Sequence, residues 1–375
     1  MTRNLLVCAG SLTLDNIVTA EGRQLPQSYG GNVLYSALGA RIWHDAVGLV
    51  SRAGSDFPAA CLDLLARLGL RTEGIRRLRS RHGMNVAFCY RRDGSRVREF
   101  PPEVIAAIAP RERQRFIDYG IAGADTRFAI WTEFAPDGTD IPDDWMPAIA
   151  ALHCAAMPVQ RHHAIADRMR RAADAWLQVD SPWYDERALG RDEATSLFAL
   201  LDAILPSEDD VARAGPGRAI ADTLAHMQRQ GARLIVLKRG ARGSRILSTA
   251  SKAVDIPALP GAAVVDPTGA GDAFCGGFLA GIHLTADPAQ AALYGTVSAS
   301  FAIAAPGIGG LLAGVEHLTT PLVAQMDHFA RWLSFLNKQH DYIDRLPNDF
   351  IEVAMPGRRV APNLARQGIR GAVTL

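Results

Sequence analysis

Lysine is nearly missing from this 375-residue chain: Lys238, Lys252 and Lys338 are its only three, and arginine supplies the other 37 of the 40 basic residues. Against 39 acidic residues the formal net charge is +1. A chain so balanced has no field of one sign to draw it to nucleic acid or to an anionic membrane surface, so a small molecule is the expected partner. Cysteine is scarce too. Cys8, Cys61, Cys89, Cys154 and Cys275 are odd in number and nowhere spaced as CxxC, which argues against a disulfide framework and a zinc site and fits a reducing cytoplasm. One stretch, Pro288 to Val315, lacks charge over a length sufficient to span a bilayer. Gly295, Pro306, Gly307, Gly309, Gly310 and Gly314 would break a spanning helix, so it reads as a buried helix followed by a glycine-rich loop, and no membrane partner is expected. Leu5 to Leu14, behind Arg3, runs into Asp15 without a small-residue cleavage pattern and reads as a first strand rather than a leader.

Absent motifs narrow the chemistry further. No glycine precedes a lysine, so the G-x-x-x-x-G-K-[ST] phosphate loop is missing, and neither H-E-x-x-H nor G-x-S-x-G occurs, which removes the common zinc peptidase and α/β-hydrolase signatures. Gly269-x-Gly271 follows an apolar run, but Phe274 takes the third glycine position of a dinucleotide fingerprint, which does not fit a Rossmann dehydrogenase.

What remains is an ordinary soluble composition, 48% hydrophobic and 21% charged, long enough for one large or two medium domains. Leu5 to Ala9 predicts a strand, Asn32 to Trp43 and Phe57 to Leu68 have helical spacing, and Val47 to Val50 is a strand between them. Asp15 to Ala20 and Met84 to Arg91 alternate as half-exposed strands, with a hairpin turn at Arg92-Asp93-Gly94-Ser95. Further on, Phe128 to Trp131, Leu152 to Ala155, Trp176 to Val179, Ala203 to Leu205, Leu234 to Leu237 and Ala262 to Val265 read as buried strands separated by helices. Continuous apolar strands of this kind point to an α/β fold with a mostly parallel sheet covered on both faces. Pro321 to about Tyr342 has a helical pattern, and the residues after it lose periodicity.

The chemistry concentrates in Val264-Val265-Asp266-Pro267-Thr268-Gly269-Ala270-Gly271-Asp272-Ala273-Phe274, which runs into an apolar helix beginning at Cys275. A glycine-rich turn opening a helix aims the amides of Gly269, Ala270, Gly271 and Asp272 at one spot, where the helix dipole also favours an anion. A carboxylate at Asp272 can there take a proton from an attacking hydroxyl while the amides hold charge on a phosphoryl group. The bland alternative is an aspartate that caps a helix.

The segment VVDPTGAGDAFCGGFLAGI closely resembles the C-terminal signature of the PfkB, ribokinase-like, carbohydrate kinases. Gly10 to Asp15 resembles that family's first strand and substrate aspartate, and Tyr29-Gly30-Gly31-Asn32 with Val47 to Asp56 resembles its glycine-pair signature. The likeness runs from about Leu5 to Leu312. It implies a three-layer ribokinase-like fold with a small β lid: a kinase domain over residues 1–320, lid strands within about 12–30 and 82–100, and a C-terminal helix and irregular tail over 321–375. It implies that Asp272 is the catalytic base, that Gly269, Ala270 and Gly271 form the anion hole, and that Asp15, Gly31 and Asn32 face the sugar. Asp266 and the backbone of Thr268 match a monovalent-cation site such as one for K+, and Lys238 and Gly240 match a strand-end contact to ATP.

Two positions depart from the family pattern. Ser207 and Asp210 stand where an asparagine and a glutamate usually organise magnesium-bound phosphates, and Asp210 can still bind a metal-bound water. Tyr35 stands where an asparagine usually binds substrate. The expected activity is Mg2+- and ATP-dependent phosphorylation of a hydroxyl on a small sugar or sugar-like substrate, with a homodimer through the lid. A nucleoside kinase, its base stacked on Tyr35, and a non-catalytic ligand-binding protein that kept the fold are the competing readings. Asp15 as a surface-turn residue and Lys238 as a solvated strand-end lysine are the bland alternatives there.

Overall fold

The computed structural model describes residues 3–317 apart from 92–95, 98–99, 122–123, 173, 184–191, 260 and 263. The first part of the chain forms β1 (Leu5–Ala9), β2 (Thr13–Val18), β3 (Gln24–Gly30), α1 (Asn32–Arg41), β4 (Val47–Ala53), α2 (Ala59–Arg67), β5 (Arg71–Arg77), β6 (Asn85–Tyr90) and β7 (Arg96–Val97). Three helices follow, α3 (Pro102–Ala107), α4 (Pro110–Ile121) and α5 (Ala124–Phe134). Alternation then sets in with β8 (Ile149–Cys154), β9 (Met157–Pro158), α6 (Val159–Ala172), β10 (Trp176–Val179), β11 (Pro182–Trp183), α7 (Asp192–Leu200) and β12 (Ala203–Ile204). The last part holds α8 (Glu208–Ala214), α9 (Ile220–Arg229), β13 (Leu234–Lys238), β14 (Ser244–Ser248), β15 (Val254–Ile256), α10 (Ala270–Thr285), α11 (Pro288–Ile303) and α12 (Gly309–His317).

Nine strands form the central sheet in the order β15-β14-β13-β12-β10-β8-β1-β4-β5, parallel from β5 to β13, with β14 antiparallel to β13 and β15 antiparallel to β14. β1 shows why both faces need a helical cover. Its sequence LLVCA is buried at every position, so alternate side chains enter opposite cores. Leu5, Val7 and Ala9 join Trp145, Ile165 and Leu197 on one side, whereas Leu6 and Cys8 join Leu34, Leu38 and Leu279 on the other. The sheet is thinnest at β12, two residues long and sharing a single register pair, Ile204 with Ile235, with β13.

A second sheet, β3-β2-β6-β7, forms the lid. Val18 and Cys89 on its outer face pack against Ile108 and Phe116 of the α3–α4 segment. All six residues of β2 are consequently buried, in place of the expected half-exposure. α1 and α10 cross at backbone distance. A Cβ on Gly276 would stand 1.8 Å from Ser36 O, and one on Gly39 would stand 2.4 Å from Ala273 O.

Two expected strands are absent. Phe128 to Trp131 lies inside α5, because Ile130 and Phe134, one helical turn apart, both pack at Gly83 while Phe128 stays 42% exposed. Ala262, Val264 and Val265 pair with no strand; Val264 is 58% exposed, and Val265 N donates to Ile303 O at 2.8 Å instead. Pro288 to Val315 forms α11, a glycine turn and most of α12, and no helix among the described residues is long and apolar enough to cross a membrane. The turn at 92–95, the helical pattern of 321–342 and the tail lie outside the described residues.

Candidate active site

The strand ends at the C-terminal edge of a parallel sheet are where loops can converge on a ligand. The glycine-rich turn meets them there. Gly269, at φ +71°, is the N-cap of α10 and uses a left-handed conformation that a side chain would strain. The Ala270 amide turns back to Pro267 O at 3.3 Å, but the amides of Gly269, Gly271 and Asp272 have no acceptor among the described residues. These three N–H groups, at the positive end of a 16-residue helix, form an anion nest. The capping alternative for Asp272 fails, because α10 has no side-chain cap and the Asp272 carboxylate has no hydrogen-bond or ion-pair partner among the described residues.

The turn is held from below by Asp266. Its buried carboxylate accepts Thr268 N at 3.0 Å, Thr268 Oγ1 at 2.6 Å and Gly307 N at 2.8 Å. Thr268 Oγ1 also lies 2.8 Å from the Tyr90 hydroxyl. The threonine proton is committed to Asp266, so Tyr90 donates, and a lid strand is thereby tied to the nest. Tyr35 packs its ring on the nest: a Cβ on Gly269 would fall 2.1 Å from a ring carbon. Its hydroxyl is buried without a hydrogen-bond partner among the described residues, with Asp15, Asp266 and Asp272 in its surroundings.

Asp15 comes from β2 and is 2% exposed, which sets aside the surface-turn alternative. The glycine pair makes its room. A Cβ on Gly30 would overlap Asp15 Oδ2 at 1.9 Å, and one on Gly31, at φ +104°, would strike Ser11 O at 2.2 Å. Asn32 opens α1, but its amide is largely committed to backbone: Oδ1 accepts Ser11 N at 2.9 Å and Nδ2 donates to Ala156 O at 2.8 Å. One N–H of Asn32 is left for a ligand.

On the other side stands Lys238, at the end of β13. It is not a solvated strand-end lysine. Its ammonium pairs with Asp180 Oδ1 at 2.6 Å, touches Cys275 Sγ at 3.4 Å, and is the heavy atom nearest a Cβ built on Gly271, at 3.5 Å. Gly240, at φ +55°, faces open space. Ser207 and Asp210 form a reciprocal cap on α8: Asp210 Oδ2 accepts Ser207 N at 2.9 Å and Ser207 Oγ at 2.6 Å, while Arg213 pairs with Oδ1. These bonds hold the Asp210 carboxyl below its usual range, with the nearby Lys238 charge the largest favourable influence against burial.

Burial pushes the Asp15 carboxyl up to about 7, with the Asp266 charge adding to the rise and the Thr13 hydroxyl opposing it. Asp272, half-buried at the nest, is raised as well, first by desolvation and then by the charge of Asp180, with Lys238 pulling the other way. The ammonium of Lys238 is held protonated by Asp180 despite its burial. Carboxylates at Asp15, Asp180, Asp210 and Asp272 thus outnumber the single lysine among them.

Asp272, Gly269, Gly271, Asp15, Gly31, Tyr35, Asp266, Thr268 and Lys238 therefore converge, and Ser207 and Asp210 sit beside Lys238 through the Ser207–Lys238 bridge between backbones. Sequence reasoning passed over Asp180 and Tyr90. Asp180 had a signal: it is the first polar residue after an apolar parallel strand. Tyr90 had none, because its partner is remote in sequence.

The sequence pattern of the pfkB family carbohydrate kinases matches residues 121–312, which is 192 of the 375 residues. A cytidine kinase of Thermococcus kodakarensis is 26% identical over 280 residues, covering 74% of this chain and 87% of that protein. An Escherichia coli protein described as a ribokinase II, solved with ATP and Mg2+, superposes with a TM-score of 0.59 at 17% identity, over 84% of this chain and 99% of the other. The Burkholderia thailandensis nucleoside kinase solved with inosine gives a TM-score of 0.56 at 19% identity, over 83% of this chain and 97% of the other.

Proposed function

This chain belongs to the pfkB family of carbohydrate kinases, phosphotransferases with hydroxyl acceptors, and from that premise we propose that it transfers the γ-phosphoryl group of ATP to a hydroxyl of a small sugar or sugar-like substrate through the site built around Asp272. A sugar or nucleoside kinase is the activity; the residue roles and the acceptor are our reading. One observation carries it. An unpartnered carboxylate with a raised pKa stands beside amides that lack acceptors, at the start of α10.

Asp272 takes the proton of the acceptor hydroxyl as the oxygen attacks phosphorus, and its raised proton affinity suits that task near neutral pH. Gly269, Gly271 and Asp272 supply the free N–H groups of the nest, which bind charge on the phosphoryl oxygens, whereas the Ala270 amide, expected among them, is spent on Pro267 O and only shapes the turn. Asp15 and the remaining N–H of Asn32, beside Gly31, hold the acceptor by its hydroxyls, and Tyr35 bounds the pocket where the ring meets Gly269. Lys238 contacts the phosphates of ATP, with Gly240 leaving space for the nucleotide and Ser207 fixing the start of α8 next to it.

Magnesium ion, when bound with ATP, neutralises phosphate charge. The acidic surroundings of Lys238 suit a divalent cation, but no group of three or more metal-ligating side chains is assembled among the described residues. Asp210, beside Lys238, is the side chain that would help hold it. Asp266 with the Thr268 backbone is the proposed position for a monovalent cation. Stimulation of turnover by K+ over Na+ tests that.

A nucleoside acceptor is the second reading, favoured by the cytidine kinase relative. Tyr35 does not serve it as a stacking platform, because its ring is 2% exposed and lies on Gly269. A base would have to rest elsewhere. The non-catalytic reading finds no support in a site whose carboxylate is intact and unpaired. A homodimer through the lid and a domain boundary at residue 320 remain proposals, for solution mass and a chain ending at 320 to decide. The deciding experiment for the activity is ADP release across a panel of sugars and nucleosides. Release with one class and not the other selects the reading, and no release with any acceptor sinks both.

A further inference from the structure

One buried charge has no part in the chemistry above. Asp180 follows β10 at the C-terminal edge of the sheet, is 6% exposed, and donates its amide to Cys154 O at 2.9 Å, so its backbone is fixed by β8. Its Oδ1 receives the Lys238 ammonium at 2.6 Å, and that ammonium faces Gly271 of the nest. β12 lies between the strands that carry the two residues, so the pair bridges the narrowest part of the sheet. We propose that Asp180 is a positioning residue for phosphoryl transfer: it anchors the Lys238 ammonium at the nest, so that the cation and the free amides of Gly271 and Asp272 bind one phosphoryl group together.

The inference rests on the kinase reading and deepens it. Composition supports it independently. Arginine outnumbers lysine 37 to 3 in this chain, and yet a lysine occupies this position. A guanidinium is a planar fork, whereas an ammonium is a compact point charge. Here the cation is buried against a single oxygen, Asp180 Oδ1 at 2.6 Å, which suits a point charge better than a fork. A buried ion pair is a poor source of stability, since desolvation offsets most of the attraction, which leaves its location at the nest as the feature to explain. Asp180 also acts on Asp272. The charged groups around that carboxyl are Asp180, Asp210 and Asp15, which raise its proton affinity, and Lys238, which lowers it. Neutralising Asp180 and neutralising Lys238 should therefore move the base in opposite directions.

The test uses the full chain and compares Asp180→Asn, Lys238→Met, Lys238→Arg and the double variant Asp180→Asn/Lys238→Met. With the best acceptor from the panel, Asp180→Asn should lower kcat by about tenfold or more while Mg·ADP affinity, by calorimetry, stays within about threefold. The acid limb of kcat/KM should shift to lower pH in Asp180→Asn and to higher pH in Lys238→Met. Lys238→Arg should behave as a loss rather than a rescue. On the pH plateau above both acid limbs, where Asp272 is ionised in each, the double variant should have the kcat of Lys238→Met alone, because a residue that positions another adds nothing once that other is gone. Additive losses, an acid limb that stays in place in Asp180→Asn, or full activity of that variant would each overturn the proposal. If Asp180→Asn does not fold, the double variant, which removes both charges, decides by the same equality. Should the wild type be inactive with every acceptor, the kinase reading fails on that result. The pair is then judged by binding alone: Lys238→Met weakening Mg·AMP-PNP by about tenfold while sparing Mg·ADP supports it, and equal effects on both refute it.

Discussion

Asp272 is the residue proposed as the base, and its surroundings predict how it fails. Asp272→Asn keeps the shape and removes the base, so kcat should fall by roughly two to four decades with little change in nucleotide affinity, measured by ADP release and calorimetry. Because burial and Asp180 raise its pKa, the carboxyl is protonated at pH values where an ordinary aspartate is ionised. A pH profile of kcat/KM for the wild type should therefore lose activity on the acid side well before pH 4. Asp15 gives a prediction of opposite character. Its folded pKa, about 7, lies above its unfolded value, so the native state binds the extra proton between roughly pH 4 and 7 and loses stability as pH rises through that window. Asp15→Asn should then melt a few degrees above the wild type at pH 8, with the gap closing toward pH 4, while acceptor turnover falls; thermal melts at both pH values read this out. At this scale the sequence was legible where the candidate site is local. Asp272 and the nest lie within four consecutive residues, and the glycine pair announced a close approach. Asn32 and Tyr35 were legible as neighbours of the site but not in their bonds, since the amide of Asn32 is spent on Ser11 and Ala156 and the ring of Tyr35 on Gly269, contacts made by residues far along the chain.

At the scale of elements, the crossing of α1 and α10 brings the two halves of the site together. Both helices begin at the site, and they are held at backbone distance by Gly39 and Gly276. Gly276→Ala places a methyl 1.8 Å from Ser36 O, which neither backbone can yield to without separating. The substitution should cost about 1–3 kcal/mol or more by overpacking, visible as a lowered Tm, and should also reduce kcat because α10 carries Asp272. Helix and strand boundaries were mostly readable from period, as in Trp176 to Val179, where the expected strand and β10 coincide. The failures have one cause. A run of four apolar residues is compatible with either period, and for Phe128 to Trp131 only the packing of Ile130 and Phe134 at Gly83 shows the helical one. Ala262, Val264 and Val265 are apolar and yet join no strand among the described residues, and no local pattern reports that.

For the whole molecule, the α/β class and the parallel sheet followed from repeated apolar strands between helices, whereas the order of the strands, which runs outward in both directions from β1, depends on pairings between distant segments. That order sets one further property. β10 and β13 are joined through two residues of β12, with one register pair on the β13 side, and one face of β13 to β15 packs with Phe274, Phe278 and Val297 while Ile235 and Leu237 on the other face of β13 stay with the core of β1 and β8. Under thermal agitation or load the sheet should part along this seam before it yields anywhere else. Hydrogen–deuterium exchange would show it as β13 and β14 losing protection together, ahead of β1 and β8. Phosphate touching Lys238 of β13 and the nest of α10, a helix that α1 holds at Gly39 and Gly276, would act as a rivet between β13 and the rest of the molecule, so a nonhydrolysable ATP analogue should slow exchange in β13 and β14 far more than in the strands on the other side.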